Sequence, residues 1–69
     1  MQYVVVIEHG PESYGAYSPD VPGCVAVGLT VEEVTQRFQD TLRDHLALLR
    51  EAGEPLPAPT TQIVYIDAA

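Results

Sequence analysis

The sequence predicts an α+β fold, a two-layer β-β-β-α-β sandwich, on three observations. Gln2 to Glu8 (QYVVVIE) is a β-branched run bounded by His9-Gly10-Pro11. Thr30 and Glu33 form a capping box that opens a long apolar stripe of helical period, and TQIVYID (Thr61 to Asp67) follows a proline-rich linker. The 69 residues are read as one domain, 1–69, because a chain this short holds a single hydrophobic core.

Strand one spans Gln2 to Glu8. Tyr3, Val5 and Ile7 share one face and Val4, Val6 and Glu8 the other, so apolar residues on both faces predict a central strand. His9 to Ser13 is a hairpin loop, and Tyr14 to Ser18 returns as strand two, with Gly15 suited to a bulge. In Pro19-Asp20-Val21-Pro22-Gly23, Pro22 sets φ near about −65° and Gly23 supplies the positive φ of a type II turn, so the chain reverses here. Cys24 to Gly28 is strand three, and Gly28 marks its end.

The helix start is specified from both sides. Thr30 can accept from the Glu33 amide while the Glu33 side chain returns to the Thr30 amide, and Leu29 with Val34 matches a hydrophobic staple. From Val31 to Ala52, the positions Val31, Val34, Phe38, Leu42, Leu46 and Leu49 recur every three or four residues and form the stripe that covers the sheet, broadened by Ala47 and Leu48. Gly53 is suited to end the helix and Pro55 forbids its continuation. Leu56 to Pro59 is a stiff extended linker, and Thr61 to Asp67 is strand four. A right-handed crossover places strand four parallel to strand one, giving the sheet order 3-2-1-4. One helix leaves the opposite sheet face apolar and uncovered. Since a core of this size supplies only about 3–5 kcal/mol, the sequence predicts a homo-oligomer, dimer or tetramer.

Ten acidic residues against three arginines and no lysine give a net charge of −7. Phosphate backbones are held by clustered Lys and Arg, so the balance argues against nucleic acid as a direct partner and fits a basic protein. No apolar run approaches the roughly 18 residues of a membrane span and no basic segment precedes one, so no membrane contact and a cytoplasmic location are expected. Cys24 stands alone and reads as a small core residue.

Several residues invite a chemical reading. Glu8 and Asp67 late on neighbouring strands, with Asp40 or Asp44 on the helix, are the nearest approach to a two-metal nuclease site. Asp40 and Asp44 flank the side opposite the apolar stripe, which favours solvated surface charge. His9, in a turn, and His45, beside the stripe, have no nucleophile or carboxylate at a spacing that fixes a general base. Tyr3, Tyr14, Tyr17 and Tyr65 would serve as a stacking platform only beside a basic groove, so they read as packing and interface area. Arg37 pairs with Glu33 along the helix. No catalytic residue, metal site or cofactor is assigned, and the chain is read as not an enzyme.

Tyr17-Ser-Pro19-Asp20-Val-Pro22-Gly23-Cys24, followed by Gly28-Leu-Thr30, Glu32-Glu33 and, after the helix, Pro57-Ala-Pro59, resembles the HicB-like antitoxin family over nearly the whole chain. The resemblance implies a domain similar to part of the ribonuclease H fold that binds and masks a small basic HicA-type toxin, an mRNA-cleaving enzyme. The roles it implies for the motif are structural: Pro19 and Asp20 lead into the turn of Pro22 and Gly23, Cys24 starts strand three, Gly28 ends it, and Thr30 with Glu33 caps the helix. Many members append a ribbon-helix-helix or helix-turn-helix segment, for which the sequence has no residues after strand four, and Val34 stands where the family more often has Ala. The expected function is an antitoxin-like protein-binding module that neutralises such a toxin, with Glu8, Glu12 and Asp20 as charge contacts. The alternatives are a self-assembling module without a toxin partner and a metal-dependent nuclease built on Glu8, Asp67 and a helical Asp.

Overall fold

A computed structural model describes all residues from Met1 to Ala69. Its elements are β1 (Val6–His9), β2 (Tyr14–Tyr17), β3 (Val25–Gly28) and α1 (Val31–Glu51). The strands form one antiparallel meander in the order β1-β2-β3, with Val6 opposite Tyr17, Tyr17 opposite Val25, Glu8 opposite Gly15 and Gly15 opposite Val27. Strand alternation then fixes the two faces. Ile7, Ala16 and Ala26 point toward the helix, and Val6, Glu8, Tyr17, Val25 and Val27 point away from it.

The connections are built as their residues dictate. Gly23 has φ 85° and the Cys24 amide donates to the Val21 carbonyl at 3.4 Å, closing the turn that Pro22-Gly23 encodes. Thr30 adopts an extended conformation and its Oγ1 accepts from the Glu33 amide at 3.0 Å. The Glu33 carboxylate reaches one residue further back than a standard capping box, accepting from the Leu29 amide at 3.0 Å. The staple expected of Leu29 is not made, for Leu29 is 71% exposed. At the other end Gly53, with φ 71°, donates to the Arg50 carbonyl while Glu54 donates to Leu49, the paired bonds of a Schellman ending.

The core is five buried side chains: Ala16, Val21, Cys24, Val34 and Phe38, with Tyr3, Val5, Tyr14, Ala26 and Leu42 packed around them. Burying Val34 and Phe38 contributes roughly 1.5–3 kcal/mol each, so these two positions carry much of what joins α1 to the sheet. The helix packs chiefly on β3 and less on β2, leaving β1 at its margin.

Two expectations about the sheet differ from what is observed. Thr61–Asp67 forms no strand, and Ile63, Val64, Tyr65 and Ile66 are 60–95% exposed. With no fourth strand, β2 is central and β1 is an edge strand. A strand is stabilised by pairing, and β-propensity alone does not hold Thr61–Asp67 in a sheet where it has no neighbour. The same reasoning shortens strand one: beyond the Val6–Tyr17 pair the neighbouring chain turns away at Pro19, so Gln2 to Val5 has no ladder to join.

Gly28 is the tightest point in the fold. A Cβ placed there would lie 2.7 Å from the Val34 amide nitrogen and 2.9 Å from its Cα, which are backbone atoms that cannot swing aside. Gly28→Ala is therefore expected to cost about 1–3 kcal/mol in urea or thermal unfolding. Gly15→Ala, whose added methyl meets nothing within 4 Å, is the control and should be neutral or mildly stabilising.

Candidate protein-docking surface

The sheet has one covered face and one open face. Small inner residues, Ala16 and Ala26, let α1 approach, while the outward positions of the same strands carry large apolar side chains: Tyr17 is 40%, Val25 65% and Val27 58% exposed. Glu8 shares that face, in the row of Gly15 and Val27, and Glu12 lies exposed in the hairpin at the same end. The open face thus sets exposed apolar side chains beside carboxylates, the combination that distinguishes an interaction surface from scattered single exposures.

Asp20 has a different task from its neighbours in charge. Its Oδ2 accepts from the amides of Thr60 and Thr61 at 3.1 and 3.0 Å, and its Oδ1 accepts from both threonine hydroxyls at 2.9 Å. The four bonds occupy the acceptor sites of a carboxylate. They latch the end of the proline linker to the β2–β3 turn, across forty residues of sequence. The Thr61 amide above all, with the other three donors, holds the Asp20 carboxyl below its ordinary value against partial desolvation. By sequence Asp20 reads as a partner contact, and the local trace of the latch is two adjacent threonines, Thr60 and Thr61, closing a proline run. Tyr3 adds a second tie, its hydroxyl donating to the Pro57 carbonyl at 2.6 Å.

The remaining candidates find ordinary roles. Cys24 is buried and unpaired, and desolvation pushes its thiol up, away from nucleophilic reactivity. His9 ends β1 and stacks on the facing Tyr14, ring centroids 4.4 Å apart and 11° from parallel. His45 is half-buried on α1. Glu8, Asp67 and the helical aspartates are not brought together, and no three His, Cys, Asp or Glu side chains converge anywhere. Asp40 instead meets Arg43 at 3.7 Å and Gln36 at 3.3 Å on the exposed helix surface. Arg37 does more than its helical pairing with Glu33 at 3.3 Å: it also donates to the Val27 carbonyl at 2.9 Å, tying α1 to β3. No helix is long and apolar enough to cross a membrane.

Residues 3–68 match a family described as the HicB_like antitoxin of bacterial toxin-antitoxin systems. The chain is also 31% identical over 67 residues to an uncharacterized 14.9 kDa protein of the rep-hol intergenic region of Haemophilus phage HP1. That alignment covers 97% of the chain and 50% of the phage protein, so the chain spans about half the length of this relative. No solved structure matches.

The latch has a defined pH signature. Because the folded-state value of Asp20 is lowered, its contribution is complete at neutral pH and is lost only as pH falls below the unfolded value and through the folded one. In carbon-detected NMR titrations Asp20 is expected to protonate below the ordinary carboxylate range. Asp20→Asn should remove that titration and expose the Thr60 and Thr61 amides to faster hydrogen exchange at neutral pH. Unchanged exchange in the variant would show that the latch does not hold this segment.

Proposed function

Because the chain belongs to the HicB-like antitoxin family, we propose that it neutralises a small basic toxin of the HicA type by binding over the surface with which the toxin grips mRNA. The observation that carries this reading is the open sheet face, where Tyr17, Val25 and Val27 lie exposed beside Glu8 on a chain of net charge −7. A ribonuclease holds RNA through Lys and Arg directed at phosphates. An acidic protein surface competes for those same groups, and its apolar area supplies the contact that charge alone does not.

Glu8 and Glu12 are the charge contacts in this proposal. Asp20 is not among them, since its acceptors serve Thr60 and Thr61. Masking needs shape and charge and no bond-making step, so the reading is non-enzymatic. It places the protein in the cytoplasm, where mRNA is cleaved. The full sheet order 3-2-1-4, with its likeness to part of the ribonuclease H fold, belongs to the same proposal; the observed meander supplies its 3-2-1 portion.

The test is a tagged pull-down from the native host, washed at low and high salt, followed by a ribonuclease assay on whatever small basic protein is retained. The expected result is one such protein, weakened by salt and inhibited as a ribonuclease by this chain. The double variant Glu8→Lys and Glu12→Lys should bind it at least about tenfold more weakly, a loss of about 1.4 kcal/mol, with a flatter salt dependence. A retained basic protein whose ribonuclease activity the chain leaves untouched would overturn the proposal.

A further inference from the structure

The open sheet face is one unpartnered surface; the free edge of β1 is another, and the chain itself carries the segment that fits it. Between β1 and α1 lies an apolar groove of about 230 Å³ lined by Val5, Ile7, Thr35, Phe38, Gln39 and Leu42. It sits where the helix, packed on β3 and β2, no longer covers the sheet. The outer backbone edge of β1 has no neighbouring strand. An edge of this kind with an apolar groove beneath it accepts an added strand, main chain to main chain, with alternate side chains entering the groove.

Thr61–Asp67 has the composition for that position: β-branched and aromatic residues, with no charge before Asp67. It does not lie along its own β1, where alternate side chains would be buried. All of Ile63, Val64, Tyr65 and Ile66 stand 60–95% exposed. The chain is also long for its size, with a radius of gyration of 13.6 Å where a compact chain of this length has about 11 Å. Its greatest extent is 46 Å, whereas α1 with its 21 residues accounts for about 32 Å. The exit is set by stiff parts: Pro55, Pro57 and Pro59 limit the linker, Tyr3 holds Pro57, and Asp20 holds Thr60 and Thr61. A short, stiff hinge that directs a strand-forming segment away from its own sheet favours exchange of that segment between copies.

We propose that two copies of this chain exchange Thr61–Asp67, each segment adding as the fourth strand along β1 of the other copy and inserting its apolar side chains into the groove of Val5, Ile7, Phe38 and Leu42. Charge selects this contact. Two chains of net charge −7 repel wherever carboxylates face one another, and neither the groove lining nor residues 61–66 carries a charge. The exchange gives each sheet the fourth strand the sequence encodes, and it stands or falls independently of any toxin.

Sedimentation of the purified chain alone is expected to show a dimer, and the double variant Ile63→Asp and Ile66→Asp, which places a carboxylate on each face of the segment, a monomer. Both positions are exposed in the single chain, so the far-ultraviolet circular dichroism of the variant should keep its helix signal. Isotope-filtered NMR on a mixture of labelled and unlabelled chains should give contacts from Ile63–Ile66 of one copy to Phe38 and Leu42 of the other. Any of three results overturns the proposal: a monomer throughout the micromolar range, a dimer that the variant leaves intact, or contacts from the segment to Phe38 and Leu42 that arise only within one copy.

Discussion

The close approach of α1 to the end of β3 is the constraint on which the other features depend. Gly28 has no side chain, so the backbone of Val34 can sit against it, and Val34 is then fully buried. Once the first turn of the helix is fixed there by Thr30 and Glu33, the helical period brings Phe38 over Ala16 and Cys24 within one cluster. Arg37 confirms the arrangement from the surface side by reaching the Val27 carbonyl. With a core of five buried residues there is no second layer to correct a misplaced helix, and the precision has to come from this contact.

Placing α1 over β3 and β2 has two consequences at once. It leaves β1 at the margin, with Ile7 and the preceding Val5 lining a groove at the side of the core. It also leaves the outer face of all three strands in contact with water, although Tyr17, Val25 and Val27 are residues that favour burial. A four-stranded sheet would remove the first exposure and leave the second, so the two exposures are independent of one another.

What the sequence reveals follows the range of the interaction. The helix start, its Schellman ending at Gly53 and the turn at Gly23 are decided by residues within five positions of each other, and each is legible in the order of residues. Even there, whether Glu33 bonds the amide of Thr30 or of Leu29 depends on side-chain geometry that spacing does not encode. The open apolar face is legible from strand one, where Val6 alternates against Ile7, whereas its largest exposed residues, Tyr17, Val25 and Val27, are located by the register of the ladder. The latch is not legible: Asp20 and Thr60 are ordinary polar residues whose meeting depends on where the linker runs. The fourth strand shows the reverse case. Thr61–Asp67 has the composition of a strand and yet forms none, because propensity names a segment's preference and supplies no neighbour with which to pair.

The acid surplus gives these surfaces their separate uses. Arg37 and Arg43 are engaged on the helix with Glu33 and Asp40, so little positive charge is left to offset ten carboxylates. In the proposed exchange two like-charged chains meet on ground free of carboxylates, the groove beneath β1 and the segment Thr61–Ile66. In the proposed function the outer sheet face, with Glu8 at its β1 edge, meets a basic protein. Charge therefore contributes little to holding the fold together, and in both proposals it decides which surface meets which partner.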